Sequence, residues 1–174
     1  MQKTYRALAL AAVAAALPAV VNAQAAPAIK PFRFGPQISL VTEGTTLGVG
    51  GRVEYSLSSM VPSLTDFRVV GSVDYFLIDK PAGATGASSI EIDVGVATSF
   101  SMPSAPVTPY AGAGLAMNRS SVSGGGTTVS GSETGLNIFG GVRFKPMGKL
   151  LPQVELRLPL YSGGDLIITG GVLF

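Results

Sequence analysis

Residues 152–160 read PQVELRLPL, and within that run Val154, Leu156, Leu158 and Leu160 alternate without a break with Gln153, Glu155, Arg157 and Pro159. An α-helix, at 3.6 residues per turn, would scatter such a set around its axis, whereas a strand sorts it onto two faces. The pattern recurs along the chain. Alternating segments at 33–42, 46–57, 65–78, 88–101, 108–119, 133–145, 150–161 and 165–174 predict eight strands, and nothing after the N-terminal region sustains the i, i+3, i+4, i+7 spacing of an amphipathic helix. Each segment is close to the ~9–11 residues with which a tilted strand crosses hydrocarbon, or a little longer. Connectors such as EGTT, DKPAGATGA, KPMGK and SGG are rich in Gly, Ser, Thr or Pro, which predicts consecutive antiparallel neighbours in an up-and-down meander. The run NRSSVSGGGTTVSGSE, 118–133, reads as the longest and most mobile surface loop.

Collecting one parity from every strand separates two chemistries. One set holds Phe34, Ile38, Leu47, Val49, Val53, Tyr55, Phe67, Val69, Val73, Ile90, Ile92, Val94, Phe100, Leu115, Met117, Leu136, Ile138, Phe144, Val154, Leu156, Ile168 and Phe174, with no charge among them. The other set holds Gln37, Arg52, Glu54, Arg68, Asp74, Glu91, Asp93, Asn137, Arg143, Gln153, Glu155 and Arg157, mixed with glycines. Alternation alone leaves two arrangements open. A soluble, lipocalin-like barrel binding an apolar ligand would turn the apolar set inward, and a transmembrane barrel would turn it outward.

Four features favour the transmembrane arrangement. Only 13% of the chain is charged, against about 25% in ordinary soluble domains. Small residues such as Gly48, Gly50, Gly95, Gly112, Gly114 and Gly141 share the charged parity, as a narrow lumen requires. Phe34, Tyr55, Phe67, Phe100, Phe144 and Phe174 fall at strand ends nearest one rim, as an interfacial aromatic girdle would. The bases Arg52, Arg68, Arg143 and Arg157 nearly balance the acids Glu54, Asp74, Glu91, Asp93 and Glu155, which predicts a salt-bridged lumen, since an unpaired buried charge costs several kcal/mol.

The first 23 residues predict a cleaved secretory signal: Lys3 and Arg6, then an apolar run from Ala7 to Val21, then VNA before Gln24. That run is interrupted by Pro18 and falls short of the ~20 residues of a spanning helix. Residues 24–31 read as a short periplasmic leader and 32–174 as the barrel. Lys3 and Arg6 leave with the signal, so the 12 Lys and Arg fall to ten, against ten Asp and Glu, and the mature chain is formally neutral. No basic patch with interleaved aromatics is present, so nucleic acid is not an expected partner. The chain has no Cys and no His, which excludes disulfides, Cys/His metal sites and every catalytic arrangement that needs a histidine base.

With TPYAGAGLAMN at 108–118 and a terminal strand DLIITGGVLF ending on Phe174, the chain resembles the small eight-stranded outer-membrane β-barrels of Gram-negative bacteria, the group of the OmpA membrane domain, OmpX and the opacity-like proteins. The resemblance implies location in the outer membrane, chain ends in the periplasm, contact with outer-membrane lipid, and handling by the barrel-assembly machinery, which reads a C-terminal aromatic strand. Here that strand departs from the usual pattern in carrying Gly170 and Gly171 together. Barrel enzymes of this kind resemble one another in needing a catalytic His, which is missing here.

The expected protein is therefore a non-enzymatic integral barrel contributing to envelope structure or surface interaction, without a cofactor or bound metal. A narrow, porin-like channel and the lipocalin-like binder are its alternatives. GVGGRV and GAGLAM begin like nucleotide-binding glycine motifs, but Val53 and Met117 replace the last glycine and no helix follows, so close strand packing is their reading. Glu91 and Asp93 share a face and are assigned to salt bridging with a lumen arginine in preference to a cation.

Overall fold

The computed structural model describes residues 31–174 apart from 44–45, 79–80 and 163. The expected signal segment, and the leader up to residue 30, lie outside the described residues. Eight strands run β1 Phe32–Val41, β2 Thr46–Ser56, β3 Phe67–Phe76, β4 Gly86–Ser99, β5 Val107–Gly124, β6 Thr127–Phe144, β7 Leu151–Leu160 and β8 Ile167–Leu173, with one short 3-10 turn at Leu57–Ser59. Each strand pairs with its sequence neighbours, and β1 closes on β8 through Gln37↔Gly171 to Val41↔Ile167. All pairings are antiparallel. Closure leaves the body of the barrel without a sheet edge.

Orientation follows the two parities. Ile38, Leu136 and Val94 are 62, 61 and 58% exposed, whereas Asp74 and Arg157 are 0 and 1% exposed. The apolar set therefore faces out around the whole circumference, the reverse of a lipocalin-like barrel. The inward set is not wholly polar: Val70, Ala97, Tyr110 and Phe139 form a buried cluster, and Phe76 is buried beside the open end. These residues fill lumen volume that the paired charges leave unoccupied.

Glycines make this interior possible. Gly95 and Gly114 face each other across β4 and β5, and a Cβ on Gly114 would meet the Val94 carbonyl oxygen and Gly95 Cα. Neighbouring backbones thus approach more closely than side chains would allow.

Residues 118–133 depart from the expected loop. They complete β5 and open β6 as one continuous hairpin, in register through Val122↔Val129, Ser123↔Thr128 and Gly124↔Thr127. Gly125 and Gly126 make the turn with φ of 57° and 80°. Positive φ at both central residues is the demand of the tight hairpin turn whose twist matches its strands, and two glycines meet it without steric cost. The flanking Ser, Thr and Val residues suit a ladder, with Ser123 and Thr128 hydroxyls 2.9 Å apart. Low complexity therefore encoded strand here, once a turn of the right hand lay at its centre. Pairing of β6 with β7 stops at Leu136↔Leu160, so the first part of β6 stands beyond its neighbour.

Candidate functional site: the lumen and its open end

Inward positions on seven strands, β1 to β7, converge on one charge network. Near the rim where β1 begins and β8 ends, Glu54 on β2 accepts from Arg143 Nη2 at 2.8 and 2.9 Å and from Arg52 Nε at 2.9 Å, with Arg68 Nη1 at 3.9 Å. Ser99 Oγ accepts from both Arg68, at 3.0 Å, and Arg143, at 3.1 Å. Arg143 also lies over the Tyr110 ring, 4.3 Å from its centroid, where the ring face favours a cation.

Arg52 continues the chain of contacts. Its Nη1 donates to Glu155 Oε2 at 2.8 Å, and the Tyr110 hydroxyl donates to the same oxygen at 3.0 Å. Arg157 Nη2 donates to the other oxygen of Glu155 at 3.2 Å. From there Arg157 Nη1 reaches Asp93 at 2.7 Å, Asp74 at 3.1 Å and Glu91 at 3.5 Å. Gln37 and Ser39 donate to Asp74, Asn137 to Asp93, and the Tyr161 hydroxyl to Glu91 at 2.8 Å.

All nine charged positions named from the sequence are buried and belong to this network: Arg52, Glu54, Arg68, Asp74, Glu91, Asp93, Arg143, Glu155 and Arg157. Charge is graded along the axis. Three of the four arginines cluster with Glu54 near the rim where β1 begins and β8 ends, and Asp74, Glu91 and Asp93 surround Arg157 nearer the other end. Sequence reasoning passed over Tyr110 and Tyr161, whose hydroxyls donate to Glu155 and Glu91. Their parity was the available signal, since both stand at inward positions among residues that otherwise read as strand-end aromatics.

The network fills the middle of the barrel. Between Arg52, Ser72, Asp93, Asn137, Glu155 and Arg157 only about 10 Å³ remains, room for about one water. At the end opposite the start of β1 and the end of β8 the lumen opens into a cavity of about 520 Å³. Among the described residues its wall includes Glu43, Glu91, Glu133 and Asp165. Among the described residues, no group of three or more Asp or Glu is placed to hold a metal ion.

The rim where β1 begins and β8 ends carries the aromatic set. Phe34, Phe67, Phe144 and Phe174 are exposed there, and Tyr55 and Phe100 are partly so. Phe174 N–H donates to the Phe34 carbonyl, and the two rings lie 6.1 Å apart. Phe32, paired with Tyr55, extends the same band.

No protein-family model matches the chain, and no curated protein matches it. Solved structures do. The N-terminal β-barrel domain of Pseudomonas aeruginosa OprF superposes with a TM-score of 0.64 at 16% identity, covering 82% of this chain and 95% of that one. The attachment invasion locus protein Ail of Yersinia pestis gives 0.55 at 18% identity, over 82% of this chain and 96% of that one. Neisserial surface protein A gives 0.53 at 19% identity, over 83 and 94%. At these identities the likeness is one of architecture: the chain has the fold of the small eight-stranded outer-membrane β-barrels.

Proposed function

We propose that this chain is an integral outer-membrane barrel of a Gram-negative bacterium, with its ends on the periplasmic side, serving envelope structure or surface interaction and not catalysis. One observation carries the reading. Apolar side chains from all eight strands face outward while every charge of the central network is sealed inside. In water that outer face would be a continuous apolar surface far above the few hundred Å² that monomeric soluble proteins tolerate. In a bilayer it meets acyl chains, and closure satisfies the backbone that lipid cannot.

The aromatic band at the rim of the chain ends suits the headgroup level of one leaflet. The barrel-assembly machinery is the partner of this reading during biogenesis, through the strand that ends on Phe174. The filled centre favours a closed barrel over an open channel. The three outer-membrane barrels of similar fold, one of them named for attachment and invasion, support a surface role.

A cysteine placed at position 156 tests the reading in protein refolded into vesicles. A water-soluble thiol reagent should fail to reach it and a lipid-soluble one should label it. Ready labelling by the water-soluble reagent would overturn the bilayer assignment. Faster migration of unheated samples on SDS gels reports the folded barrel independently.

A further inference from the structure

We propose that the outer face of the β5–β6 hairpin, at Arg119, binds the phosphate of a lipid headgroup in the surface-side leaflet. Such a site presupposes the bilayer reading above. Two separate features lead there: a lone cation at the upper limit of the apolar band, and a groove beside it bordered by hydrogen-bond donors.

Arg119 interrupts the outward parity. Among the described strand residues it is the one charged group at an outward position, and it is exposed. No carboxylate among the described residues lies within ion-pairing distance of it. Arg119 stands in register with Ile90 of β4 and Ser132 of β6. Toward the body of the barrel the outward positions are Ile92, Met117 and Thr134, then Val94, Leu115 and Leu136. Toward the hairpin tip they are Ser88, Ser121 and Ser130. The outer surface therefore changes from apolar to hydroxyl-bearing at Arg119, as it must where headgroups replace acyl chains.

Donors converge on the same place. The Ser123 carbonyl accepts from Thr85 N–H, so odd positions of β5 turn their backbone toward β4, and Arg119 and Ser132 form a non-hydrogen-bonded pair. Side chains approach most closely in such pairs. Ser130 and Ser132 turn their own N–H groups away from β5, and pairing of β6 with β7 begins only at Leu136. Among the described residues no backbone hydrogen bond reaches those N–H groups. Met117, Arg119, Ser130, Gly131 and Ser132 line a groove of about 330 Å³. A guanidinium, two hydroxyls and a free strand edge thus border one space.

This set suits phosphate. Its several oxygens can take a bidentate pair from the guanidinium and still accept from a serine hydroxyl or an edge N–H, whereas both oxygens of a carboxylate would be used by the arginine alone. Met117 and the apolar residues below it favour a lipid over a free anion, because the acyl chains of the same molecule would lie along Leu115 and Leu136, both well exposed.

The chain has no tryptophan, so one can be introduced as a reporter. Leu115→Trp lies below Arg119 on the same face, and Ile38→Trp lies outward on β1, on the far side of the closed strand order. Each full chain is refolded into phosphatidylcholine vesicles doped with brominated phosphatidic acid or brominated phosphatidylcholine. Quenching at Leu115→Trp should favour phosphatidic acid about fivefold more than quenching at Ile38→Trp does, the effect of one cation near an anionic headgroup. Adding Arg119→Gln should remove the difference.

Equal preference at the two reporters, or a preference that survives Arg119→Gln, would overturn the site. Inorganic phosphate, compared with sodium chloride at the same ionic strength, should leave the preference in place. Its loss would assign the groove to a free anion and overturn the lipid. Heat-dependent migration reports folding of each variant. Folded protein quenched by neither brominated lipid at either reporter would overturn the bilayer reading itself, an outcome distinct from quenching without preference.

Discussion

Arg157 Nη1 lies 2.7 Å from Asp93 Oδ2, joining β7 to β4 across the interior of the barrel. The same guanidinium also reaches Asp74, Glu91 and Glu155, so one cation serves carboxylates on three strands. Its planar fork, with several donors in fixed directions, is what permits this division. Arg157 is therefore the residue on which the middle of the lumen is most dependent.

Removing it should be costly. Arg157→Leu leaves Asp74, Asp93 and Glu91 without their shared cation, and breaking a buried ion pair by deleting one partner costs about 3–5 kcal/mol. Urea unfolding in detergent is expected to shift to a clearly lower midpoint. Arg157→Lys should recover only part of the loss, because a point charge cannot address opposite groups at once. An unchanged midpoint for the leucine variant would contradict the network as the source of stability.

The outer face gives a second, depth-dependent expectation. Leu156 sits in the middle of β7 and is 40% exposed on the apolar side. Leu156→Arg should cost about 2–4 kcal/mol in a bilayer, the penalty for a cation at mid-depth on a barrel surface. Val129, 71% exposed on the protruding hairpin, should accept arginine within about 0.5 kcal/mol. Reversible unfolding in lipid vesicles measures both, and similar small effects would place residue 156 in water.

Strand glycines should divide by parity. A Cβ on Gly114 meets backbone atoms of Val94 and Gly95, so Gly114→Val is expected to destabilise by about 1–3 kcal/mol through overpacking. Gly170 faces out with no heavy atom in the way of an added Cβ, so Gly170→Ala should leave the unfolding midpoint near the parent value. The contrast is read from paired denaturation curves.

The hairpin makes a local prediction. Amides of 118–124 and 127–133 that bond across β5 and β6 should be protected from hydrogen exchange, whereas a disordered loop would exchange at once. Gly126→Ala forces an L residue to φ of 80° and should cost about 1–2 kcal/mol of that local protection, leaving the barrel body unchanged.

Planar-bilayer recording checks the lumen. With about 10 Å³ free at its centre, the folded barrel is expected to pass no steady current. A stable ohmic step from purified, folded protein would favour the channel alternative.

Much of the architecture was legible because alternation is a local property. Val154 to Leu160 announce their two faces within a single strand, and eight such runs without a helical period leave an antiparallel meander as the simple solution. The charged parity could be named residue by residue for the same reason. Strand ends were less legible at 118–133. Ser, Gly and Thr carry little hydrophobic contrast, so only the closing geometry of Gly125 and Gly126 told strand from loop.

Sequence by itself determined the strand count, the parity of each side chain and the near balance of lumen charge, all of which are written in period-two order and composition. Tertiary structure alone decided which groups meet: Arg143 with Glu54, 89 residues apart, Arg52 with Glu155, 103 apart, and Arg157 with Asp93, 64 apart. It also decided that Tyr110 and Tyr161 donate to Glu155 and Glu91 and that β6 outruns β7. The physical reason is closure. Once the sheet joins β1 to β8, strand stagger fixes the height of every inward residue, and distant strands face one another across a lumen in which each of these charged groups lies within 3.9 Å of an opposite one.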